Sequence, residues 1–448
     1  MPKFIKQTQS LCSNCLKVIS ADIILEDDNV YMVKVCPDHG NQKTVIWRNE
    51  DTYRRWVDFG EDLPISQGKN CGSYKGCPYD CGLCPEHKVG TCVAVIEITK
   101  RCNLNCPICF ADSGNSGTDI DHHTIRGMFE TALTSAGRCS IQLSGGEPTL
   151  RDDLPSIVNM GTGLGFEHIM INTNGLRIAQ DINYLMKIKE AGAQTIYLQF
   201  DGVSGEIYHS IRAKNILDEK IQALRNCALA EIGVVLVPTI VPRINDHQIG
   251  EIIKFALKWN PVVKGIHFQP ISYFGRFPSM PTNEERITIP DLLNAIESQT
   301  NGAIKKQSFV PRKPRESICS FSGLFVQMED GRLIALTDFD TQEAGKNKSK
   351  NINQQPNKVA WQYLKTNWIY QPKRTCDSSG QIQGNLRNLF ERAGTHRLSI
   401  SSMAFQDADN IDLNRLRGCC THVVTPDKRM IPLCSYYVTN TKGDRLHK

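Results

Sequence analysis

From about residue 93 to 275 the chain alternates short apolar runs with longer stretches whose apolar residues recur every three or four positions. This is the pattern of a strand followed by a helix that packs back on it. Strands are expected at 93–99 (VAVIEIT), 139–145 (CSIQLSG), 168–174 (HIMINTN), 195–201 (TIYLQFD), 234–241 (VVLVPTIV) and 265–272 (GIHFQPIS), with helices such as 125–136, 182–192, 219–231 and 247–259 between them. Repeated strand–helix units predict an α/β fold with a parallel sheet. Six units fall short of the eight of a closed barrel. Outside this region, 21–36, 320–339 and 421–434 read as hairpins.

Sites in parallel sheets form at the carboxyl ends of strands, and polar motifs fall there in this chain. The second strand runs into Ser144-Gly145-Gly146-Glu147-Pro148, the third into Asn172-Thr173-Asn174-Gly175 and the fourth into Gln199-Phe200-Asp201-Gly202. Val237-Pro238-Thr239 and Gln269-Pro270 could flank a ligand in the same mouth, with core packing as the competing reading.

Length and charge narrow the class. With 448 residues, 40% hydrophobic and 22% charged, the chain fits a large domain with smaller attachments. A net charge of +5 is too slight and too dispersed for nucleic-acid binding to be expected. The first residues lack the apolar core of a signal peptide and no run approaches a membrane span, so a cytoplasmic protein is expected. The basic stretches 305–315 and 344–358 read first as solvated loops, with anionic lipid as the alternative and hence room for peripheral membrane association.

Eighteen cysteines change the picture more. Without an export signal they read as thiolate metal ligands rather than disulfides. Cys12, Cys15, Cys36 and His39 bracket a hairpin and suit one tetrahedral zinc or a rubredoxin-like iron. Cys71, Cys77, Cys81 and Cys84 lie within fourteen residues rich in glycine and proline, a loop able to wrap an iron–sulfur cluster, with structural zinc as the alternative. Cys102-x3-Cys106-x2-Cys109 follows the first strand. Three thiolates leave one iron of a cubane open for chemistry, whereas ordinary ferredoxin loops supply four. Near the C-terminus Cys319, Cys434 and one or both of Cys419 and Cys420 sit at hairpin ends and suggest a second auxiliary cluster, with Cys376 a weaker candidate. Cys139 and Cys227 lie in the strand and helix patterns and read as packing residues.

The segment EITKRCNLNCPICFADSG, with Phe110 directly after the last cysteine, and the GGEP turn downstream resemble the radical S-adenosylmethionine (SAM) superfamily. The resemblance implies a partial (β/α)6 TIM-type barrel at 93–302, flanked by a cysteine-rich metal-binding region at 1–92 and a C-terminal one at 303–448. It implies that a 4Fe-4S cluster on the catalytic Cys102, Cys106 and Cys109 cleaves SAM to a 5'-deoxyadenosyl radical. It also implies that Gly145, Gly146 and Glu147, with Asn172, Asn174, Gln199 and Asp201, meet cofactor or substrate. Glycines let backbone carbonyls approach the ammonium group of the methionine moiety, while Glu147 supplies charge or braces the turn. Arg212 is a candidate for the cofactor carboxylate, with an exposed arginine as the competing reading.

The order of motifs along nearly the whole chain resembles the group that includes archaeal tetraether lipid synthase and the former class D radical methylases. Coupling of lipid alkyl chains is the first expectation and methylation of a small or pterin-linked molecule the second, each with an external reductant such as ferredoxin or flavodoxin. Coupling calls for a long apolar tunnel, and methylation of a polar substrate for a shorter hydrogen-bonding pocket. Lys428 stands where that group's hairpin would be expected to carry glycine. A multicluster electron-transfer protein, which leaves the three-cysteine loop and the GGEP turn unexplained, and a zinc-binding nucleic-acid module, which predicts zinc at all sites and a basic face near Cys12, are the alternatives of other classes.

Overall fold

The computed structural model describes residues 1–59, 75–311, 317–346, 356–371 and 384–447. Cys71 and Cys376 lie outside the described residues. The N-terminal strands β1 (Lys3–Leu11), β2 (Val18–Glu26), β3 (Asn29–Cys36) and β4 (Gly40–Arg48) form an antiparallel sheet in sequence order. The turn between β2 and β3 uses Asp27 and Asp28 at positive φ, a conformation short polar side chains tolerate.

The expected parallel series is present as β5 (Val93–Thr99), β6 (Ser140–Gly145), β7 (Ile169–Thr173), β8 (Thr195–Gln199), β9 (Gly233–Val237) and β11 (Val263–Pro270), each hydrogen-bonded in parallel to the next. The short β10 (Thr239–Ile240) pairs with the end of β11. Alternation sorts the strand side chains. Ala94, Ile96 and Ile98 join the large outer core beneath the helices, whereas Val93 and Val95 join an inner cluster with Met170, Tyr197, Val235 and Val237, as the period of two requires. Cys139 and Cys227 are buried in the outer core.

The C-terminal region builds on both edges of this sheet. After β12 (Val310–Pro311), β13 (Ser320–Gln327) and β14 (Leu333–Ala335), strand β15 (Arg397–Met403) pairs in parallel with β11, and β13 pairs antiparallel with β15. At the opposite edge β16 (Thr421–Val424) pairs in parallel with β5 and forms a hairpin with β17 (Met430–Pro432). Lys428, in that hairpin, has φ 65, the left-handed conformation for which glycine is the usual solution.

The helix Pro356–Trp368 packs inside the curve of the sheet: Leu364 and Trp368 belong to the inner cluster, and Trp368 O accepts a bond from Thr195 Oγ1 at 3.2 Å. Gly233, at the start of β9, permits this, since a Cβ there would overlap Trp368 O and stand 2.9 Å from Tyr370 N. The first sheet docks beside the barrel through Lys34, whose buried Nζ donates to Leu11 O and Ala408 O, both at 2.6 Å. Arg48 adds a bond to Arg286 O at 2.8 Å and an ion pair with Asp291. Among the described residues no helix is long and apolar enough to cross a membrane.

If the seating of this inner helix depends on the missing Cβ, Gly233→Ala destabilises the protein by about 1–3 kcal/mol through overpacking. A lower denaturant midpoint with an unchanged slope in urea unfolding is the expected reading.

Candidate active site and metal centres

The three-cysteine loop leaves the end of β5 and is held by backbone. Gly146 N donates to Thr99 O at 2.9 Å and Glu147 N to Arg101 O at 2.8 Å. A Cβ on Gly145 would overlap Thr99 O and one on Gly146 would overlap Arg101 O, so the glycine turn lies directly on the chain that leads into Cys102. On the far side Cys109 and Arg276 exchange two backbone bonds of 2.9 Å. The Arg276 guanidinium then gathers the loop, donating to Asn105 Oδ1 at 2.8 Å, Cys106 O at 2.9 Å, Ser113 O at 2.8 Å and Asp112 Oδ1 at 3.0 Å. Nothing in the sequence pattern singles out this arginine.

Cys102, Cys106 and Cys109 pack in one cluster with Leu104, Leu176, Tyr208 and Ile216 and line a cavity whose internal volume is about 190 Å³. Gly145, Gly146, Asn172 and Gln199 line the same cavity. Burial pushes the Cys102 thiol up to about 12 and raises that of Cys106, where the neighbouring Arg212 charge works in the opposite direction. Three convergent, part-buried thiols beside a cradle of backbone fit a cubane with one open iron. Such a cluster would supply the electron that breaks the SAM sulfonium bond.

Beneath these groups the polar residues form a connected support. Glu147 is buried: Oε1 accepts from Thr149 N at 3.0 Å, Thr149 Oγ1 at 2.6 Å and Thr173 Oγ1 at 2.7 Å, and Oε2 from Asn174 N at 2.6 Å. It braces the turn. Asn174 is likewise occupied, bridging Asn103 Oδ1 at 2.7 Å and Leu176 N at 3.0 Å. Asp201, expected to face cofactor or substrate, is fully buried instead. It takes Arg212 Nε at 2.7 Å and Nη2 at 2.9 Å, Thr239 N at 3.0 Å and a bond from Gln199. Arg212 is not exposed either; besides Asp201 it donates to Ile108 O and Thr239 Oγ1, both at 3.2 Å. Its fork geometry matches the carboxylate beneath it, so this pair positions the loop between Cys106 and Cys109. Lys220 closes the network, with Nζ 2.7 Å from Gln199 Oε1 and bonded to Asn174 O. Burial pulls its pKa down to about 7. Its place on the apolar stripe of its helix, with Ala223, Leu224 and Cys227 at helical spacing, is the signal in the sequence that marks it as buried.

Cys12, Cys15, Cys36 and His39 come together with all ligand atoms within 4.8 Å of one another, which suits a single tetrahedral ion. Burial opposes ionisation of Cys12, yet bonds from the Cys15 and Asn14 backbone and from the Cys36 and Gln42 side chains bring it down to about 6.

The remaining cysteines gather at the C-terminal flank. Cys77 packs in one apolar cluster with Cys434, and Cys81 Sγ lies 3.8 Å from Ser435 Oγ. Cys84 lies near enough to Cys77 to influence its ionisation. Cys319 accepts a bond of 3.1 Å from the buried Arg415, whose charge also interacts with Cys434, and Cys419 is an electrostatic neighbour of Cys434. A buried cation beside Cys319 and Cys434 fits an anionic cluster. The adjacent pair is divided. Cys420 is bonded to Cys92 in the inner core, so its assignment as a metal ligand is corrected, because consecutive residues of an extended segment point to opposite faces. Cys419 is left on the cluster side.

Residues 96–256 match the radical SAM superfamily, and residues 4–48 match the HMPTM N-terminal zinc ribbon domain. The chain is 38% identical to 7,8-dihydro-6-hydroxymethylpterin dimethyltransferase of Methanocaldococcus jannaschii, over 96% of this chain and 93% of that one. It is 29% identical to a probable GTP 3',8-cyclase of Methanothermobacter marburgensis, over 38% of this chain and 55% of that one. Streptococcus suis SuiB bound to its precursor peptide SuiA aligns at a TM-score of 0.40 and 14% identity, covering 65% of this chain and 69% of that one.

Metal uptake by a thiol releases its proton, so the two kinds of site differ in how steeply their loading falls as pH is lowered. With Cys102 near 12 and Cys77 pushed by burial to about 11, iron–sulfur incorporation into metal-free protein falls as pH is lowered from 8.5 to about 6.5. The ribbon site, where Cys12 is brought down to about 6 while burial raises Cys15, is expected to lose less of its metal across that range. Iron, sulfide and zinc analysis after reconstitution at both pH values checks this. Nearly its whole length places the chain in the family that contains the 7,8-dihydro-6-hydroxymethylpterin dimethyltransferase of M. jannaschii, with residues 96–256 forming its radical SAM part.

Proposed function

We propose that the enzyme methylates a reduced pterin of the 7,8-dihydro-6-hydroxymethylpterin type by radical chemistry. The observation that carries this reading is the lining of the cavity. Below the cysteine loop it presents the amides of Gln142, Asn172 and Gln269, the imidazole of His267 and the hydroxyl of Thr239, beside the rings of Tyr197 and Trp368. Gln269 Nε2 lies 3.4 Å from Tyr197 OH, and His267 Nδ1 is held by Ser401 Oγ at 2.9 Å. A pterin is a flat ring with an edge of hydrogen-bond donors and acceptors, so aromatic faces and amides together match its chemistry. The relative, which acts on such a molecule by name, resembles the chain from the ribbon through the C-terminal cysteines, which also favours methylation over lipid coupling.

In this reading Gly145 and Gly146 present backbone to the methionine moiety of SAM, Asn172 and Gln199 contact the cofactor, and the lower amides orient the pterin. The Asp201–Arg212 pair keeps the loop in place and the packed inner helix restricts water from below. Turnover takes electrons one at a time, for which a ferredoxin or flavodoxin is the proposed donor.

Anaerobic incubation of iron-replete enzyme with SAM, dithionite and 7,8-dihydro-6-hydroxymethylpterin, followed by mass spectrometry, is expected to show the pterin gaining one or two methyl groups. Gln269→Leu is expected to weaken pterin binding about tenfold, the worth of one or two hydrogen bonds, as read by quenching of pterin fluorescence. Unmodified pterin alongside abundant 5'-deoxyadenosine would point to a different substrate.

A further inference from the structure

Arg415, on the short helix Leu413–Arg417, is only 7% exposed. A buried guanidinium keeps its charge, and burying it is costly unless an anion answers it. The other deeply buried arginines meet this need with carboxylates: Arg151 pairs with Asp153, Arg212 with Asp201, and Arg286 with Asp407 and Asp409. Arg415 is different. Among the described residues no carboxylate bonds it; Nη2 donates to Cys319 Sγ at 3.1 Å and to Ile318 O at 3.4 Å, and the buried Nε has no partner. Asp412 acts on it only through space. The Asp412 Oδ1 is taken by Thr8 Oγ1 at 2.6 Å and by Asn414 N at 2.9 Å, where it caps the helix.

The sulfur that Arg415 meets is not isolated. Cys434 interacts electrostatically with Arg415, Cys319 and Cys419, and Gln406 N donates to Cys434 Sγ at 3.3 Å. The surroundings of the three-cysteine loop differ in charge. Arg212 acts on Cys106 but is fork-bonded to Asp201, and Arg276 is paired with Asp112. Together with Glu147 and Lys220, the buried groups behind that loop carry no net positive charge. The two sets of thiols thus differ by a cation that no bonded carboxylate offsets.

We propose that Arg415 is the fixed counter-charge of an iron–sulfur centre on Cys319, Cys419 and Cys434 and sets its reduction potential above that of the cluster on Cys102, Cys106 and Cys109. The C-terminal centre is then the one that accepts and holds an electron. This rests on reading the three C-terminal thiols as cluster ligands and is independent of which substrate the cavity takes. Cluster potentials follow net charge, burial and hydrogen bonds to sulfur. Reduction adds one electron, drawn from an external reductant, to a centre already made anionic by its thiolates. No bond breaks, and the arginine, charged throughout, takes up no proton. The added negative charge gains more beside a cation in a water-poor setting than in water, so Arg415 favours the reduced form. Inorganic sulfide also gives Nε an acceptor that the described protein groups do not provide.

Redox titration of the iron-replete holoenzyme, followed by electron paramagnetic resonance, reads both centres. The signal missing from Cys319→Ala belongs to the C-terminal centre and the one missing from Cys106→Ala to the radical loop. In the wild type the C-terminal centre should be reduced at the less negative potential. Arg415→Gln removes the charge and keeps an amide donor. It should shift the balance of oxidised and reduced C-terminal centre at least tenfold toward oxidised, about 59 mV for one electron, and leave the radical-loop midpoint in place. Arg415→Lys, which keeps the charge, should recover most of that shift. A wild-type midpoint in Arg415→Gln, or equal shifts in Arg415→Gln and Arg415→Lys, would overturn the counter-charge role. Should Arg415→Gln fail to load iron, the wild-type order of midpoints decides: a C-terminal centre at or below the radical loop contradicts the proposal. Full iron content and an unchanged spectrum in Cys319→Ala would instead remove the centre itself.

Discussion

The site depends on one close approach: the Gly145–Gly146 turn at the end of β6 lies so near the backbone of residues 99–101 that no side chain fits between them. The contact links two parallel strands and fixes the path of the chain as it enters the cysteine loop. Two glycines at this spot are therefore a steric requirement of the approach as well as a means of presenting backbone to a ligand. Arg276 completes the restraint from the other side by binding the carbonyls and side chains of the loop.

Under that contact lies a buried set of charges, two acidic (Glu147 and Asp201) and two basic (Arg212 and Lys220), tied together through Asn174, Gln199 and Thr173. Burying charges is costly unless each finds its partners, and here each of the four has at least one. Removing a single member would leave its neighbours uncompensated in a water-poor region, so these residues set geometry, and Glu147 and Arg212 also line the cavity. Amides, hydroxyls, an imidazole and aromatic rings face the cavity among a largely aliphatic lining that includes Val93, Met170, Val237 and Leu364.

The parts of the fold legible in the sequence were those coded locally. Alternating apolar residues marked the six parallel strands, and the spacing of Cys102, Cys106 and Cys109 marked the radical loop. The knuckles at Cys12 and Cys36 marked the ribbon, whose four ligands do converge. What depended on distant pairing was hidden. The strands 397–403 and 421–424 join opposite edges of the sheet, and no local pattern says which edge a strand will find. The same holds for the helix seated inside the barrel and for the division of Cys419 from Cys420, which follows from the latter's partner 328 residues away. Polar residues at strand ends usually face the mouth, but the ion pair with Arg212, a tertiary fact, holds Asp201 fully buried, while Arg212 itself lines the cavity.

The account stands or falls on whether the three-cysteine loop cleaves SAM. The most direct test is anaerobic assay of 5'-deoxyadenosine formation by the iron-replete enzyme and by Cys106→Ala, with dithionite as reductant. The account predicts product from the native protein and none above background from the variant. No product from fully loaded native protein, or equal product from both, would contradict it.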